Sequence, residues 1–222
     1  MRIRKKHWGP AELAQCPYFI PNPVEHAGHW RDLFPAAQPL YLELGCGKCV
    51  STSAMALDNP NINFLAVDEI SDMLARGHRI IDQVYGNTPV ANLRMTPFDC
   101  MFIQQYVRPE DEIERIYINF CNPWSMKPRH EKRRLTHPRQ LNQYRSILVP
   151  DGCIYFKTDD DALFDASLQY FTSCGFLLDY CTRDLHSSGF SPNYVSEHEI
   201  MFTEKGIPTK FVIARSPERI PV

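Results

Sequence analysis

Short runs of leucine, β-branched and aromatic residues alternate along this chain with stretches whose apolar residues recur at three- and four-residue spacing, which predicts repeated strand-helix units. The first strand is expected over residues 39–44, running into Gly45-Cys46-Gly47-Lys48 and then a helix over 51–57 that Asn59-Pro60-Asn61 ends. Residues 63–67 predict a second strand, 71–84 an amphipathic helix with Ser71 as N-cap, and 89–95 a third strand. A fourth strand is expected over 113–120, a helix over 137–148, and a fifth strand over 153–157 after an Asp151-Gly152 turn. Residues 160–173 predict a helix, and 175–182 and 209–215 two more strands. Between them, residues 185–195 form a loop of a length that is usually functional or disordered.

This order implies an α/β fold, Rossmann-like and doubly wound, on a mostly parallel seven-stranded sheet. No repeat or linker divides the chain, so residues 1–222 are expected to be one domain. Within it, the polar, Pro-rich residues 1–35 are expected to be an N-terminal arm or cap, and 36–222 the core.

Composition narrows the class. At 44% hydrophobic and 23% charged residues, with no apolar run near the roughly 20 residues of a bilayer span, the sequence argues against a membrane protein. The basic start, Met1-Arg2-Ile3-Arg4-Lys5-Lys6, is followed by Pro10, Glu12 and Gln15 rather than an apolar stretch, so a cytoplasmic protein without a signal peptide is expected. The eight cysteines are scattered except for Cys46 and Cys49; no second pair completes a metal site, so no metal is expected. The Cys46/Cys49 pair has redox spacing, but it sits inside a glycine loop that serves a ligand better.

The net charge of −2 conceals an asymmetry, because ten of the 24 Lys and Arg fall in two short segments. One is Arg2, Arg4, Lys5 and Lys6; the other is Lys127, Arg129, Lys132, Arg133, Arg134 and Arg139. A charge run alone is most simply a solvated face.

Gly45 and Gly47, between a strand and a helix, let backbone N–H groups approach a ligand that Cβ atoms would otherwise block. The third glycine of the dinucleotide fingerprint is absent, Val50 standing near its place. Asp68, at the end of the second strand, can accept both hydroxyl protons of a ribose, and Asp99, after the third, can accept from an adenine amino group. Glu43 points toward the same crevice. Glycine loop and acids together fit S-adenosylmethionine.

From Ile118 the chain reads Ile-Asn-Phe-Cys-Asn-Pro-Trp-Ser-Met-Lys-Pro-Arg-His-Glu-Lys-Arg-Arg-Leu. Here it resembles the bacterial tRNA (guanine-N7)-methyltransferase family, whose fourth strand ends in Asn-Phe-x-Asp-Pro-Trp-Pro before Lys, Arg-His and Lys-Arg-Arg-Leu. The resemblance continues through Phe156-Lys157-Thr158-Asp159 and Ser196-Glu197-His198-Glu199, and extends over nearly the whole chain. It implies methylation of guanine N7 in tRNA, with cofactor contacts from Glu43, Asp68 and Asp99 and tRNA or guanine contacts from Lys127, Asp159, Ser196, Glu197, His198 and Glu199. The basic run, with Arg129, His130, Arg133 and Arg134, follows the strand end where the methyl donor belongs; phosphate contacts there would position a nucleotide.

The chain departs from the family at the residue regarded as catalytic, where Asn122 replaces Asp at the junction of cofactor and substrate. The family's Thr-Glu-Tyr-Glu is Ser196-Glu197-His198-Glu199, which keeps a hydroxyl and an aromatic ring able to stack on a base. Lys127 sits one residue later than its counterpart. Guanine N7 carries its own lone pair, so alignment and electrostatics dominate the chemistry. Asn122 can accept one hydrogen bond but carries no charge, and losing one such partner costs about 10²–10³ in rate. Two alternatives follow: a tRNA-binding paralogue with weak or lost catalysis, and a methyltransferase of altered base specificity, since Asn122-Pro123-Trp124 also resembles the Asn-Pro-Pro-aromatic turn of amino-directed adenine methyltransferases. Monomer and homodimer are both compatible with the sequence.

Overall fold

The computed structural model describes residues 7–220; Arg2, Arg4, Lys5 and Lys6 lie outside the described residues. Its strands are β1 (Leu40–Leu44), β2 (Asn63–Val67), β3 (Leu93–Thr96), β4 (Ile113–Asn119), β5 (Leu148–Thr158), β6 (Leu177–Thr182) and β7 (Lys210–Arg215). They form one sheet in the order β3-β2-β1-β4-β5-β7-β6, parallel except at β7, which runs antiparallel to β5 and β6. The α-helices are α1 (Gly9–Gln15), α2 (Val50–Asp58), α3 (Ser71–Tyr85), α4 (Pro138–Ile147), α5 (Asp161–Ser173) and α6 (Glu197–Glu204).

Side chains alternate across a strand, so each strand feeds two cores. Leu40, Leu42 and Leu44 of β1, with Ile116, Ile118, Ile154 and Phe156, face α4 and α5 through Leu141, Tyr144, Phe164 and Phe171. Phe64 and Ala66 of β2 turn the other way, onto Leu13 of α1, Met55 of α2 and Leu74 and Ile81 of α3. Strand order reverses between β1 and β4, and an α/β sheet of this kind opens its ligand crevice at the carboxyl ends there.

Several boundaries differ from expectation for local reasons. Ser71 is the first residue of α3 rather than its cap: Ile70 is the N-cap, and its N–H donates to Asp68 Oδ1 at 2.8 Å. β3 starts only at Leu93, because Asn92 is spent on the end of α2, donating to the carbonyls of Ala56, Asn59 and Ile62. Asp151-Gly152 does not precede a strand. With Asp151 at φ 61° and its N–H on Ser216 O, the pair forms an irregularity inside the longer β5.

Residues 7–35, expected to be too polar for regular core, contribute to it. Pro10 suits the first turn of α1, whose Leu13 is buried, and Trp30 is 0% exposed with its indole N–H on Tyr106 O at 2.6 Å. Asp111 fixes that turn by accepting from the N–H groups of Gly28, Trp30 and Arg108. The chain then covers the outer edge of β3: Ile20 N–H donates to Met95 O and Met95 N–H to Tyr18 O, both at 2.8 Å. β6, at the opposite edge, is largely exposed.

Candidate active site

Two adjoining hollows, of about 200 and 790 Å³, share Gly45, Asp68 and Ile70 and together form one crevice over the ends of β1, β2 and β4. Gly45 and Gly47 have φ of 76° and 57°, a conformation other residues adopt only with strain. A Cβ on Gly45 would project into open space, and one on Gly47 would meet only Met73 Cε at 3.7 Å. Glycine therefore leaves a cradle that a ligand can fill.

Asp68 binds the loop and the next helix together, accepting from Gly47 N–H at 3.0 Å on one oxygen and from Ile70 N–H at 2.8 Å on the other. Each oxygen retains an acceptor position, as paired ribose hydroxyls require. Burial pushes the Asp68 carboxyl above its ordinary value. Asp99 caps the following 3₁₀ turn through Met101 N–H at 2.8 Å with one oxygen and lines the larger hollow. Glu43 is buried under the glycine loop, accepting from Ser51 Oγ at 3.3 Å, Thr52 Oγ1 and Asn119 Nδ2 at 2.8 Å; burial pushes its carboxyl up. These oxygens and backbone groups suit a ribose, an amino group and an adenine edge, so the residues fit S-adenosylmethionine.

The thiols of Cys46 and Cys49 lie 3.5 Å apart beneath the loop. Both are buried, and burial pushes the Cys46 thiol well up, away from the thiolate character of a reactive cysteine. They pack the loop.

The chain leaves β4 through strained backbone: Phe120 has φ 52° and Trp124 φ 49°. Between them Asn122 Oδ1 accepts from Trp124 N–H at 3.0 Å, so the carbonyl expected to serve a substrate also closes a local turn and keeps one acceptor position. Its amide nitrogen is not used by that turn. Asn122 lines the larger hollow with Arg129, Lys132, Arg133 and Arg139, and Arg133 stacks over the Trp124 ring at 5.0 Å.

Arg134 is not part of that surface. It is 5% exposed, its Nε donates to Pro123 O at 2.8 Å, and its guanidinium reaches Glu131 at 3.5 Å. In the 3₁₀ turn Pro128–Arg133 and just after it, successive side chains point different ways, and this cation turns inward to hold the Asn122-Pro123-Trp124 loop.

Glu199 is likewise withdrawn. At 0% exposure it pairs with Lys157 at 3.0 Å and His186 at 3.1 Å and accepts from Asn193 at 2.7 Å; burial pushes the Lys157 ammonium down while Glu199 opposes the shift. Ser196 caps α6 by accepting from Glu199 N–H at 3.2 Å. Glu197 stays at the crevice, where its Oε1 meets Lys48 Nζ of the glycine loop at 2.7 Å. His198 is near-parallel to Phe120, ring centroids 6.3 Å apart, and Phe202 joins the stack. Lys127, His130 and Asp159 do not line the crevice: Lys127 is exposed, His130 meets the Trp124 ring edge-on, and Asp159 is half-buried, its carboxyl pushed up by burial.

The crevice thus gathers Glu43, Gly45, Gly47, Asp68, Asp99, Asn122, Arg129, Arg133, Ser196, Glu197 and His198. Sequence reasoning did not single out Lys48, Asn119 and Phe120 as site residues, although each lies inside a motif it used. Among the described residues no group of His, Cys, Asp and Glu is placed to hold a metal ion, and no helix is long and apolar enough to cross a membrane.

A family model described as "Putative methyltransferase" matches residues 37–210. Among solved structures, the 16S rRNA methyltransferase KamB superposes with a TM-score of 0.59 at 10% identity, covering 81% of this chain and 88% of that one. Precorrin-6y C5,15-methyltransferase from Geobacter metallireducens gives 0.54 at 10% identity, covering 81% and 80%. Likeness at such identity concerns the fold. A tRNA (guanine-N(7)-)-methyltransferase of Clostridium perfringens strain SM101 is 49% identical over 218 residues, 97% of this chain and 99% of that protein. Another, of Ruminiclostridium cellulolyticum, is 45% identical over 223 residues, 99% and 94% of the two chains. Alike to these relatives over almost its whole length, the chain belongs to the tRNA (guanine-N(7)-)-methyltransferase family.

Proposed function

We propose that this chain methylates N7 of a guanine in tRNA, using S-adenosylmethionine held by Glu43, Gly45, Gly47, Asp68 and Asp99. The observation that carries the reading is the continuity of the two hollows, which brings an acid-rich ligand cradle beside a wall of four cations, Arg129, Lys132, Arg133 and Arg139. Bound in the cradle, the cofactor supplies an electrophilic methyl group on a sulfonium. The cations take the phosphates of the incoming tRNA and fix its register, since such contacts position a nucleic acid without reading it.

Guanine presents two acceptors, N7 and O6, on one edge. The Asn122 amide nitrogen, left free by the turn, matches O6 and steers N7 toward the cradle. As N7 is alkylated the ring becomes positive, and its N1–H and amino group become stronger donors. Glu197, which uses one oxygen on Lys48 and keeps the other, is the carboxylate at the crevice that can accept from them. Phe120 and His198 supply the aromatic surface against which the base packs. Arg134 and Glu199 position these elements without touching substrate.

The adenine-directed alternative rests on the Asn122 carbonyl accepting from an exocyclic amine, but the relatives that match this chain over almost its whole length are named for guanine N7. Residues 1–222 act, in this reading, as one methyltransferase domain in the cytoplasm. Mass spectrometry of tRNA nucleosides after incubation with methyl-labelled cofactor tests the proposal: label in 7-methylguanosine is expected, and unlabelled guanosine or label in another nucleoside would overturn it.

A further inference from the structure

A second cavity, of about 320 Å³, lies on the α2 side of the sheet under residues 190–194. Its floor is built by strand register. Tyr41 of β1 and Arg115 of β4 are partners, and Tyr117 of β4 stands opposite Tyr155 of β5, so one guanidinium lies within a ring of tyrosines. The Arg115 guanidinium carbon is 4.4 Å from the Tyr41 ring centroid and 4.3 Å from that of Tyr155; one Nη donates to the Tyr117 hydroxyl at 3.0 Å.

Among the described residues no carboxylate pairs with Arg115. Glu43 is taken by Ser51, Thr52 and Asn119, and Asp179 of β6 by Arg215. A cation held against aromatic walls, with a hydroxyl but no carboxylate on its N–H groups, calls for an anion. Asn119, whose buried Oδ1 has no donor, lines both this cavity and the crevice of the active site.

The cover is fixed in place. Asn59 Nδ2 donates to the Tyr194 hydroxyl at 3.0 Å, Lys157 Nζ donates to Tyr194 O at 3.1 Å, and the Phe190 ring lies 4.9 Å from that of Phe211. The cavity's volume is at the low end of small-molecule sites, about 300–1,000 Å³. A single guanidinium among aromatic walls favours one negative charge, because desolvating a dianion there is too costly. Rings on several sides favour a flat partner that can stack or meet them edge-on.

We propose that this cavity is a binding site for a small planar aromatic carboxylate, seated with its carboxylate on Arg115 and its ring among Phe64, Tyr155 and Phe211. The cavity shares Ser51 and Asn119 with the methyl-transfer crevice, but the groups that seat the ligand, Arg115, Phe64, Tyr155 and Phe211, do not line that crevice, and the proposal does not depend on the reaction assigned to it.

The test uses the full chain and 1-naphthoate as a fluorescent probe, with saturating S-adenosylhomocysteine present to block the crevice. One saturable site is expected. The uncharged isostere 1-naphthalenemethanol should bind about tenfold more weakly or worse to the unaltered protein, and Arg115→Gln should weaken naphthoate about as much while leaving the alcohol unchanged. Absence of saturable binding, equal affinity for acid and alcohol, or displacement of naphthoate by S-adenosylhomocysteine would each overturn the proposal. The alcohol comparison decides the matter even if Arg115→Gln does not fold.

Discussion

The two walls of the crevice are held in opposite ways. On the glycine-loop wall Glu43, Asp68 and Asp99 are each bonded to donors of the fold, so their positions are set before any ligand arrives. On the facing wall Arg129, Lys132, Arg133 and Arg139 have no ion-pair partner among the described residues, and Arg134 beside them is pinned. Fixed dipoles suit a small ligand of one shape, whereas free cations suit a polyanion that presents phosphates along its length. Preorganisation therefore belongs to the cofactor side and adaptability to the RNA side.

The strongest way to break this contrast is Glu43→Ala. It leaves Ser51, Thr52 and Asn119 without their acceptor, and a loss of about 3 kcal/mol in urea denaturation is expected together with loss of S-adenosylhomocysteine binding by calorimetry. Retained stability would show that the wall is not preorganised. Arg134→Ala should come next, at about 2 kcal/mol, with kcat falling as the Asn122 turn loosens and the salt dependence of tRNA binding unchanged. A shallower salt slope would instead make Arg134 a phosphate ligand.

Asn122→Asp exchanges a donor to O6 for a negative charge near a ring that turns positive. A carboxylate in that position is worth about 10²–10³ in rate, against about tenfold for a neutral hydrogen bond, so kcat on tRNA should rise about ten- to a hundredfold. A fall would mean that Glu197 already supplies all the charge the reaction uses. Arg133→Gln should cost several-fold in tRNA affinity and reduce the salt slope by about one, while leaving the melting temperature in place.

The smallest effect concerns pH. The Asp68 carboxyl lies above the ordinary value of 3.8 because it is buried, so its ionisation costs the ligand-free fold stability as pH rises through the native value, and acidification restores that stability. Cofactor affinity should move the other way, falling on acidification and beginning to fall above pH 3.8, because a protonated Asp68 accepts from ribose poorly. Calorimetry against Asp68→Asn, in which this pH dependence should vanish, separates Asp68 from the remaining carboxylates.

What the sequence disclosed follows the same division. Residues 63–67 read as a strand to the residue because the apolar run 64–67, buried on both faces, has no other use, and the glycines with Asp68 and Asp99 mark strand ends by chemistry alone. The other wall was legible only as a list of charges. Nothing in Lys-Arg-Arg tells that Arg133 faces out over Trp124 and Arg134 faces in to Pro123, since that depends on how a short 3₁₀ turn meets the loop. Glu199, expected as a tRNA or guanine contact, is instead closed in by Lys157, His186 and Asn193. Helix α6 escaped notice because its eight residues carry no amphipathic period and leave Ile200 and Met201 exposed. Trp30 was hidden in a polar, Pro-rich stretch that only tertiary contacts bury.

The segment from Tyr18 to Ile20 that covers β3 gives the sheet a polarity of assembly. Unpaired strand edges template the addition of foreign chains, and at β3 that template is occupied by the protein's own backbone. Among the described strands the remaining edge is β6, where Leu177 and Leu178 are exposed and Asp179, held by Arg215, is the charge that interrupts the apolar face. Self-association of this chain at high concentration should accordingly begin at β6, and Asp179→Val is the substitution most apt to provoke it.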